Sequence, residues 1–424
     1  MFARFFKDCR GGIAPMMALT ALPLMGSIGV AVDYSRANAA RAAFQTSLDS
    51  TALMLARGAA TQSGADLQST ATATFNALFN RPEAKNVAVT ATYTSDGGSK
   101  VHLSGSATID TNFLGVIGFS QLTISGKSES TWGNTRLRVA LVLDNTGSMS
   151  SDGKMTALKT ASQNLLDQLQ SAAVNTADVY VSIIPFNKDV NIGSINYGQS
   201  WIDWTDWNTE NGRCSSNSYT TQSTCTSHRK TWTPNNHNTW NGCLTDRTQN
   251  FDTTNDAPTT GNTLYPAEQY DSCPAQLLGL TNNWTSLSSK VNDMQPVGNT
   301  NQAIGLQVGW QSLTAAPFTV PPTDPNFQYK QVIILLTDGL NTEDRWYTNA
   351  SSIDARQQKT CDNIKAAGIT LYTVQVNTGN DPTSTLLKNC ASDSSKFFLL
   401  TTSNQIVTTF SQIGTALSNL RLSM

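Results

Sequence analysis

Apolar positions recur with different periods in different stretches of the chain, and each period predicts an element. Gly12 to Val32 carries no charge across 21 positions. As a helix this stretch would rise about 31 Å, which predicts a membrane anchor. Between Tyr34 and Ala60, Phe44, Leu48 and Leu55 fall near helical spacing with no Pro among them, so the helix is expected to continue outward as one rod. A second helix is predicted near 65–79, where Leu67, Ala71, Phe75 and Leu78 share a face. The period then drops to two. Val87, Val89, Ala91 and Tyr93 alternate with polar residues, Ser95-Asp96-Gly97-Gly98 supplies turn chemistry, and Val101, Leu103, Ala107 and Ile109 mostly alternate again. That predicts a hairpin, and Leu122 with Ile124 adds a strand. Residues 34–132 thus read as a long helix on a small antiparallel sheet.

From Arg136 the pattern becomes strand, helix, strand, with strands apolar on both faces, as a buried parallel sheet requires. Strands are expected from Val139 to Leu143, Val179 to Phe186, Val332 to Leu336, Leu371 to Val376 and Phe397 to Leu400. Helices are expected near 154–170, 285–294, 301–313, 351–366, 382–391 and 404–420. The predicted fold class is therefore α/β: a doubly wound, Rossmann-like domain over 136–421, preceded by an α+β unit over 34–132 and by a tail and anchor over 1–33. Residues 193–283 interrupt the domain without any clear period. They hold four Cys and the rings of Trp201, Trp204, Trp207, Trp232 and Trp240. A loop-rich insertion held by disulfides, rather than by a core of its own, is expected there. Its Trp rings serve either as a recognition surface or as packing against the sheet.

Charge refines the picture. A formal net charge of -2 gives no basic field, which argues against nucleic acid as a partner. Arg4, Lys7 and Arg10 precede the apolar stretch against one Asp8. This predicts a single-pass inner-membrane protein with its N-terminus in the cytoplasm and its bulk exported to the periplasm or cell surface; a cleaved signal peptide is the competing reading. Cys9 then lies inside, while Cys214, Cys225, Cys243, Cys273, Cys361 and Cys390 lie outside, an even number that an oxidising compartment would pair. Three connectivities remain open for the four in the insertion. Cys361 and Cys390, on consecutive helices, are expected to bond to each other.

Candidate chemistry sits at strand ends. In an open α/β sheet ligands bind beyond the carboxyl ends of the strands, and Asp144, Thr146 and Ser148 follow directly from one such strand. Asp338 ends another, and Thr300 precedes the helix leading back to it. These five side chains offer hard oxygen donors, suited to Mg²⁺, or to Ca²⁺ or Mn²⁺, and poor for Zn²⁺.

The stretches Asp144-Asn145-Thr146-Gly147-Ser148, Gly298-Asn299-Thr300-Asn301 and Leu336-Thr337-Asp338-Gly339 together resemble the metal-ion-dependent adhesion site of von Willebrand factor A domains, with Thr146 where Ser is more usual. That resemblance implies that Ser148, Thr146 and Thr300 hold the ion directly or through water, while Asp144 and Asp338 act mainly from behind them. An ion held by few direct carboxylates keeps an open position for an acidic side chain of a protein partner. Arg10-Gly11-Gly12-Ile13-Ala14, then Val32-Asp33-Tyr34-Ser35-Arg36, and the chain's end from Phe410 to Leu422 are similar to TadG-like proteins of the Tad (Flp) pilus system. This implies a pilin-like stalk over 34–132 and pilus-assembly components as partners.

Rival chemistry lacks its parts. Aspartate-based phosphoryl transfer needs a second carboxylate two residues on, where Thr146 stands. Serine hydrolysis needs a base near Ser148, and none of the three His, His102, His228 and His237, is placed for it. Zinc held by Cys225, His228, His237 and Cys243 competes with pairing of the same cysteines. A binding protein rather than an enzyme is expected.

Overall fold

The computed structural model describes residues 13–56, 59, 62–94, 99–132, 135–314, 316–325, 327–379 and 381–422. Two compact units divide between Asn134 and Thr135.

The first unit opens with helix α1 (Ile13–Ala56), one continuous rod of 44 residues. Ala37, Ala40, Phe44, Leu48, Ala52 and Leu55 repeat every three or four positions and are all buried, the stripe by which a helix packs on one face. Helix α2 (Gly64–Leu78) starts on Ser63, whose hydroxyl accepts from Asp66 N, and buries Leu67, Ala71 and Phe75. The rings of Phe44 and Phe75 meet edge to face, with centroids 5.0 Å apart. Beneath them lie β1 (Ala84–Thr94), β2 (Ser99–Asp110) and β3 (Gln121–Trp132), antiparallel in the order β1-β2-β3. At Gly126 a Cβ would come within 2.8 Å of Leu48 and 2.6 Å of Gln45 Oε1. Glycine lets the helix approach the strand there. On the outer border of β1 one carboxamide engages two backbone groups: Gln68 Nε2 donates to Val89 O and Gln68 Oε1 accepts from Ala91 N, each at 2.8 Å.

Among the described residues, no helix is long and apolar enough to cross a membrane. The expected anchor over 12–32, and with it the single-pass inner-membrane placement, is overturned, and the export argued from that anchor loses its basis. Helix α1 has the length, but Thr20, Pro23, Gly26, Ser27 and Gly29 dilute the apolar residues of that stretch. Arg4, Lys7, Arg10 and Cys9, on which the orientation rested, lie outside the described residues, as does Ser95-Asp96-Gly97-Gly98. Asp33, at the end of the uncharged stretch, is a structural tie instead: its carboxylate accepts from the backbone N–H groups of Asn112, Phe113 and Leu114 at 2.7–3.0 Å.

The second unit has a parallel sheet of β4 (Thr135–Asp144), β5 (Val179–Phe186), β6 (Gln328–Thr337), β7 (Thr370–Val376) and β8 (Phe397–Leu400), in the order β8-β7-β6-β4-β5. Leu141, Leu143, Ile334 and Leu336 point into one core with Leu158, Leu165 and Phe410. Their neighbours Ala140, Val142, Ile333 and Leu335 point into the other, with Ile304, Leu306 and Ile364. Alternation of side chains along the apolar runs Val139–Leu143 and Val332–Leu336 fills both faces, as a doubly wound domain requires. The doubly wound α/β architecture expected for this half is therefore present.

The insertion does more than loop. Val190–Asn191, Cys243–Leu244, Tyr265–Glu268 and Ile202–Asp203 extend the main sheet beyond β5 in that order. Trp207, Trp240 and Tyr265, each 1% exposed, join the second core. Their donors are satisfied, with Trp240 Nε1 donating to Cys243 O and Trp207 Nε1 to Gln269. These rings pack rather than project. Its cysteines pair as Cys214–Cys225 and Cys243–Cys273, and Cys361 bonds Cys390 between the two helices that carry them. No thiolate remains at Cys225 or Cys243 for zinc. His237 instead stacks on Trp204 with centroids 3.8 Å apart.

Candidate metal centre

Strand β4 delivers Asp144 fully buried at its carboxyl end. Extended backbone at Thr146 and a single turn over Gly147–Ser150 then turn the chain into the helix Lys154–Ala172. Asp144 Oδ1 accepts from Thr146 N at 2.8 Å. Its Oδ2 accepts from the Thr337 hydroxyl at 2.7 Å and from Asp338 N at 3.3 Å. One carboxylate thus locks the β4 loop to the end of β6.

Outward from it, Thr146 Oγ1 and Ser148 Oγ lie 3.0 Å apart, and Ser148 Oγ donates to Asp338 Oδ1 at 2.6 Å. The other oxygen of Asp338 accepts from Lys154 Nζ. Asp144, Thr146, Ser148 and Asp338 therefore form one hydrogen-bonded chain. Burial pushes the Asp144 carboxyl up to about 6, the Asp338 charge adds to that, and the hydrogen bonds from Thr146 and Thr337 oppose it.

No hydrogen bond links Thr300 to these four residues, and its backbone is tied to Thr342 instead. Its N–H donates to Thr342 Oγ1 at 2.8 Å, its carbonyl accepts from Thr342 N at 2.8 Å, and it is 5% exposed. Two residues before it, Gly298 O accepts from Gly147 N at 3.0 Å, and Val297 N donates to Asn145 O at 2.8 Å. These bonds tie the 295–301 loop to the β4 loop. Gly298 has φ +77°, and a Cβ there would lie 2.6 Å from Asn187 Nδ2 and 2.8 Å from the Tyr270 hydroxyl. The insertion reaches the same rim, since Asn299 N donates to the Tyr270 hydroxyl at 3.2 Å and Asn301 Nδ2 to Asp246 at 2.7 Å.

The donor set suits a hard cation. Six oxygens at about 2.0–2.1 Å around an octahedral ion place neighbouring ligands about 2.9–3.0 Å apart, and the Thr146 and Ser148 hydroxyls already stand 3.0 Å apart. Among the described residues no cluster of three or more His, Cys, Asp or Glu is arranged to hold a metal, so hydroxyls carry this candidate. Two residues escaped the sequence reading. Thr337 has a weak signal in its place before Asp338. Lys154 has none, because nothing local marks a lysine as buried, yet its side chain is 8% exposed against a fully buried Asp338 carboxylate.

Comparison with known proteins agrees with the architecture. Residues 262–412 match the von Willebrand factor type A domain family, a span that includes Thr300 and Asp338 but begins within the insertion, after the Asp144 loop. Residues 11–62 match the TadE/G-like Flp pilus-assembly family. None of the curated proteins matches the chain. Among solved structures, the pilus adhesin SpaC from Lactobacillus rhamnosus GG is 13% identical with a TM-score of 0.38; the alignment covers 80% of this chain and 35% of SpaC. The vWF domain of the type V pili tip protein Mfa5 from Porphyromonas gingivalis is 11% identical with a TM-score of 0.39, covering 68% of this chain and 97% of that one. Proximal thread matrix protein 1 from the mussel byssus, with a zinc-occupied MIDAS motif, is 10% identical with a TM-score of 0.35, covering 68% and 46%. The chain carries a TadE/G-like Flp pilus-assembly region at residues 11–62 and a von Willebrand factor type A domain whose family match spans residues 262–412.

Proposed function

We propose that this chain is a recognition component of Tad (Flp) pilus assembly, binding rather than catalysing, that captures an acidic side chain of a protein partner through a divalent ion. Thr146, Ser148 and Thr300 would hold the ion, with Asp144 and Asp338 fixing the hydroxyls from behind, and Mg²⁺ is the favoured cation. When bound, the ion supplies a Lewis-acidic position for a carboxylate. The observation that carries the reading is the Thr146–Ser148 hydroxyl pair backed by Asp338.

Charge supports it. Asp144 and Asp338 carry two negative charges if ionised, Lys154 one positive, and a divalent ion two more. The sum is +1, which attracts a carboxylate rather than repelling it. Ser148 is exposed, and Leu340, 57% exposed, follows Gly339, where a Cβ would lie 3.9 Å from Ser148 Oγ. Backbone bonds already lace the Asp144 and Thr300 loops together, which favours recognition over a metal that merely stiffens the rim.

Isothermal titration of the full chain with Mg²⁺ tests this. Wild type should take up one ion, and Asp144→Ala and Thr300→Ala should lose that uptake together with Mg²⁺-dependent binding of a Glu-bearing peptide. Uptake lost with peptide binding retained would overturn the recognition role; no uptake by wild type would overturn the site.

A further inference from the structure

We propose that strand β3 is a docking edge for a second copy of this chain, which adds its own β3 antiparallel in a register chosen by Lys127 and Glu129. The argument starts from where the backbone of β3 points. Thr111 N donates to Ser120 O at 3.0 Å, one step beyond the last paired residues, Asp110 and Gln121. Bonds to a neighbour alternate along an antiparallel strand, so the even-numbered residues of β3 face β2. Lys127 shows the converse, since its carbonyl accepts from Gln45 Nε2 at 2.8 Å, a donor outside the sheet. The N–H and C=O groups of Thr123, Ser125, Lys127, Glu129 and Thr131 are therefore directed away from β2, and among the described residues β3 pairs with β2 alone.

An open edge of this kind is a template for another strand unless it is blocked. On β1 the Gln68 carboxamide blocks it at Val89 and Ala91. On β3 the only such cover among the described residues is Gln45, whose amide also donates to Asp49 Oδ1 at 2.9 Å and so has a second partner if displaced.

The identity of the incoming strand follows from charge. Lys127 and Glu129 are two residues apart, both exposed and both on the face of the sheet away from α1. Outward groups sit only on odd positions, so a twofold antiparallel pairing has few registers. Centred on Lys127 it sets lysine against lysine; centred on Glu129, glutamate against glutamate. Centred on Ser128 it sets Lys127 opposite Glu129 of the partner subunit, twice over, and Ser125 opposite Thr131 of the partner subunit. Opposite charges across a strand pair stabilise and like charges destabilise, so the strand matches itself in one register. Glu129 is already held on that face by His102, with Nδ1 and Oε2 3.0 Å apart. Helix α1 repeats the pattern along the same border, where Arg41, Gln45 and Asp49 follow at intervals of four and Asp49 lies beside residues 128–131. Antiparallel pairing turns Arg41 toward the partner's Asp49.

Directly opposed residues on antiparallel strands lie about 5.5 Å apart in Cα, within disulfide range. Ser125→Cys and Thr131→Cys are therefore introduced separately into the full chain, with Cys9→Ser removing the seventh cysteine of the sequence. Under mild oxidation an equimolar mixture should give a crosslinked dimer containing one of each, while either variant alone should give only background. Adding Lys127→Glu to both should reduce the mixture to background, and Lys127→Glu with Glu129→Lys should restore the crosslink. A mixture that crosslinks no better than the single variants, or a yield indifferent to Lys127→Glu, would overturn the proposal.

Discussion

The Lys154 ammonium donates a hydrogen bond to the oxygen of Asp338 that Ser148 leaves free. Both groups are buried, and an ammonium and a divalent ion close to the same carboxylate repel each other. Lys154→Met should leave Asp338 without a counterion and lower metal-free stability by about 3–5 kcal/mol, the usual cost of breaking a buried pair from one side. Added Mg²⁺ should then raise the melting temperature of the variant by more than it raises that of wild type. Scanning calorimetry with and without Mg²⁺ reads this directly, and equal metal-induced shifts would show that lysine and ion do not share Asp338.

Gly298→Ala tests whether the rim depends on its backbone tie. The residue sits at φ +77° against Asn187 and Tyr270, so a methyl is both strained and crowded. A loss of about 1–3 kcal/mol is expected, read by urea denaturation. The Mg²⁺ titration should weaken in parallel, because Gly298 O anchors Gly147.

The Cys361–Cys390 bond closes a loop with a sequence separation of 29 residues. Replacing both by Ala should cost about 3–4 kcal/mol on chain-entropy grounds. Ile364 and Leu387 pack in the same core, so the loss should appear as a lower denaturant midpoint of the second unit. A midpoint unchanged from wild type would mean that packing alone positions the two helices.

Burial pushes the Asp246 carboxyl up to about 8, the charges of Asp344 and Asp252 add to that, and hydrogen bonds from Arg345 N and Asn301 oppose it. The folded protein thus holds this proton more tightly than the unfolded chain does. Its contribution is fully present below the ordinary carboxyl range and is lost as pH rises through about 8. Stability should fall between pH 5 and pH 8.5, and Asp246→Asn should flatten that slope. Melting temperatures across this range decide it, and parallel slopes for the two proteins would sink the assignment.

The parallel sheet was legible because stretches such as Ile333-Ile334-Leu335-Leu336 are apolar at every position, which only a strand buried on both faces requires. The rim was legible where its residues are close in sequence and follow a strand end, as Asp144, Thr146 and Ser148 do. Less local facts were not. Lys154 looks like any surface lysine until Asp338 is placed beside it. Residues 125–131, Ser-Gly-Lys-Ser-Glu-Ser-Thr, carry no apolar alternation, and their strand is imposed by the register with β2. The insertion's two-residue strands are likewise set by the sheet they join. The stretch from Gly12 to Val32 misled because absence of charge is not the same as apolarity: small and hydroxyl-bearing residues and Pro23 count as uncharged without contributing to transfer into lipid.

Gln68 gives the small sheet two unlike borders, one engaged from within the chain at Val89 and Ala91 and one still able to take a neighbour. Twofold pairing at the second border uses it up in both copies at once. Growth through this contact is self-limiting at two chains, so any longer array has to be propagated by a different surface.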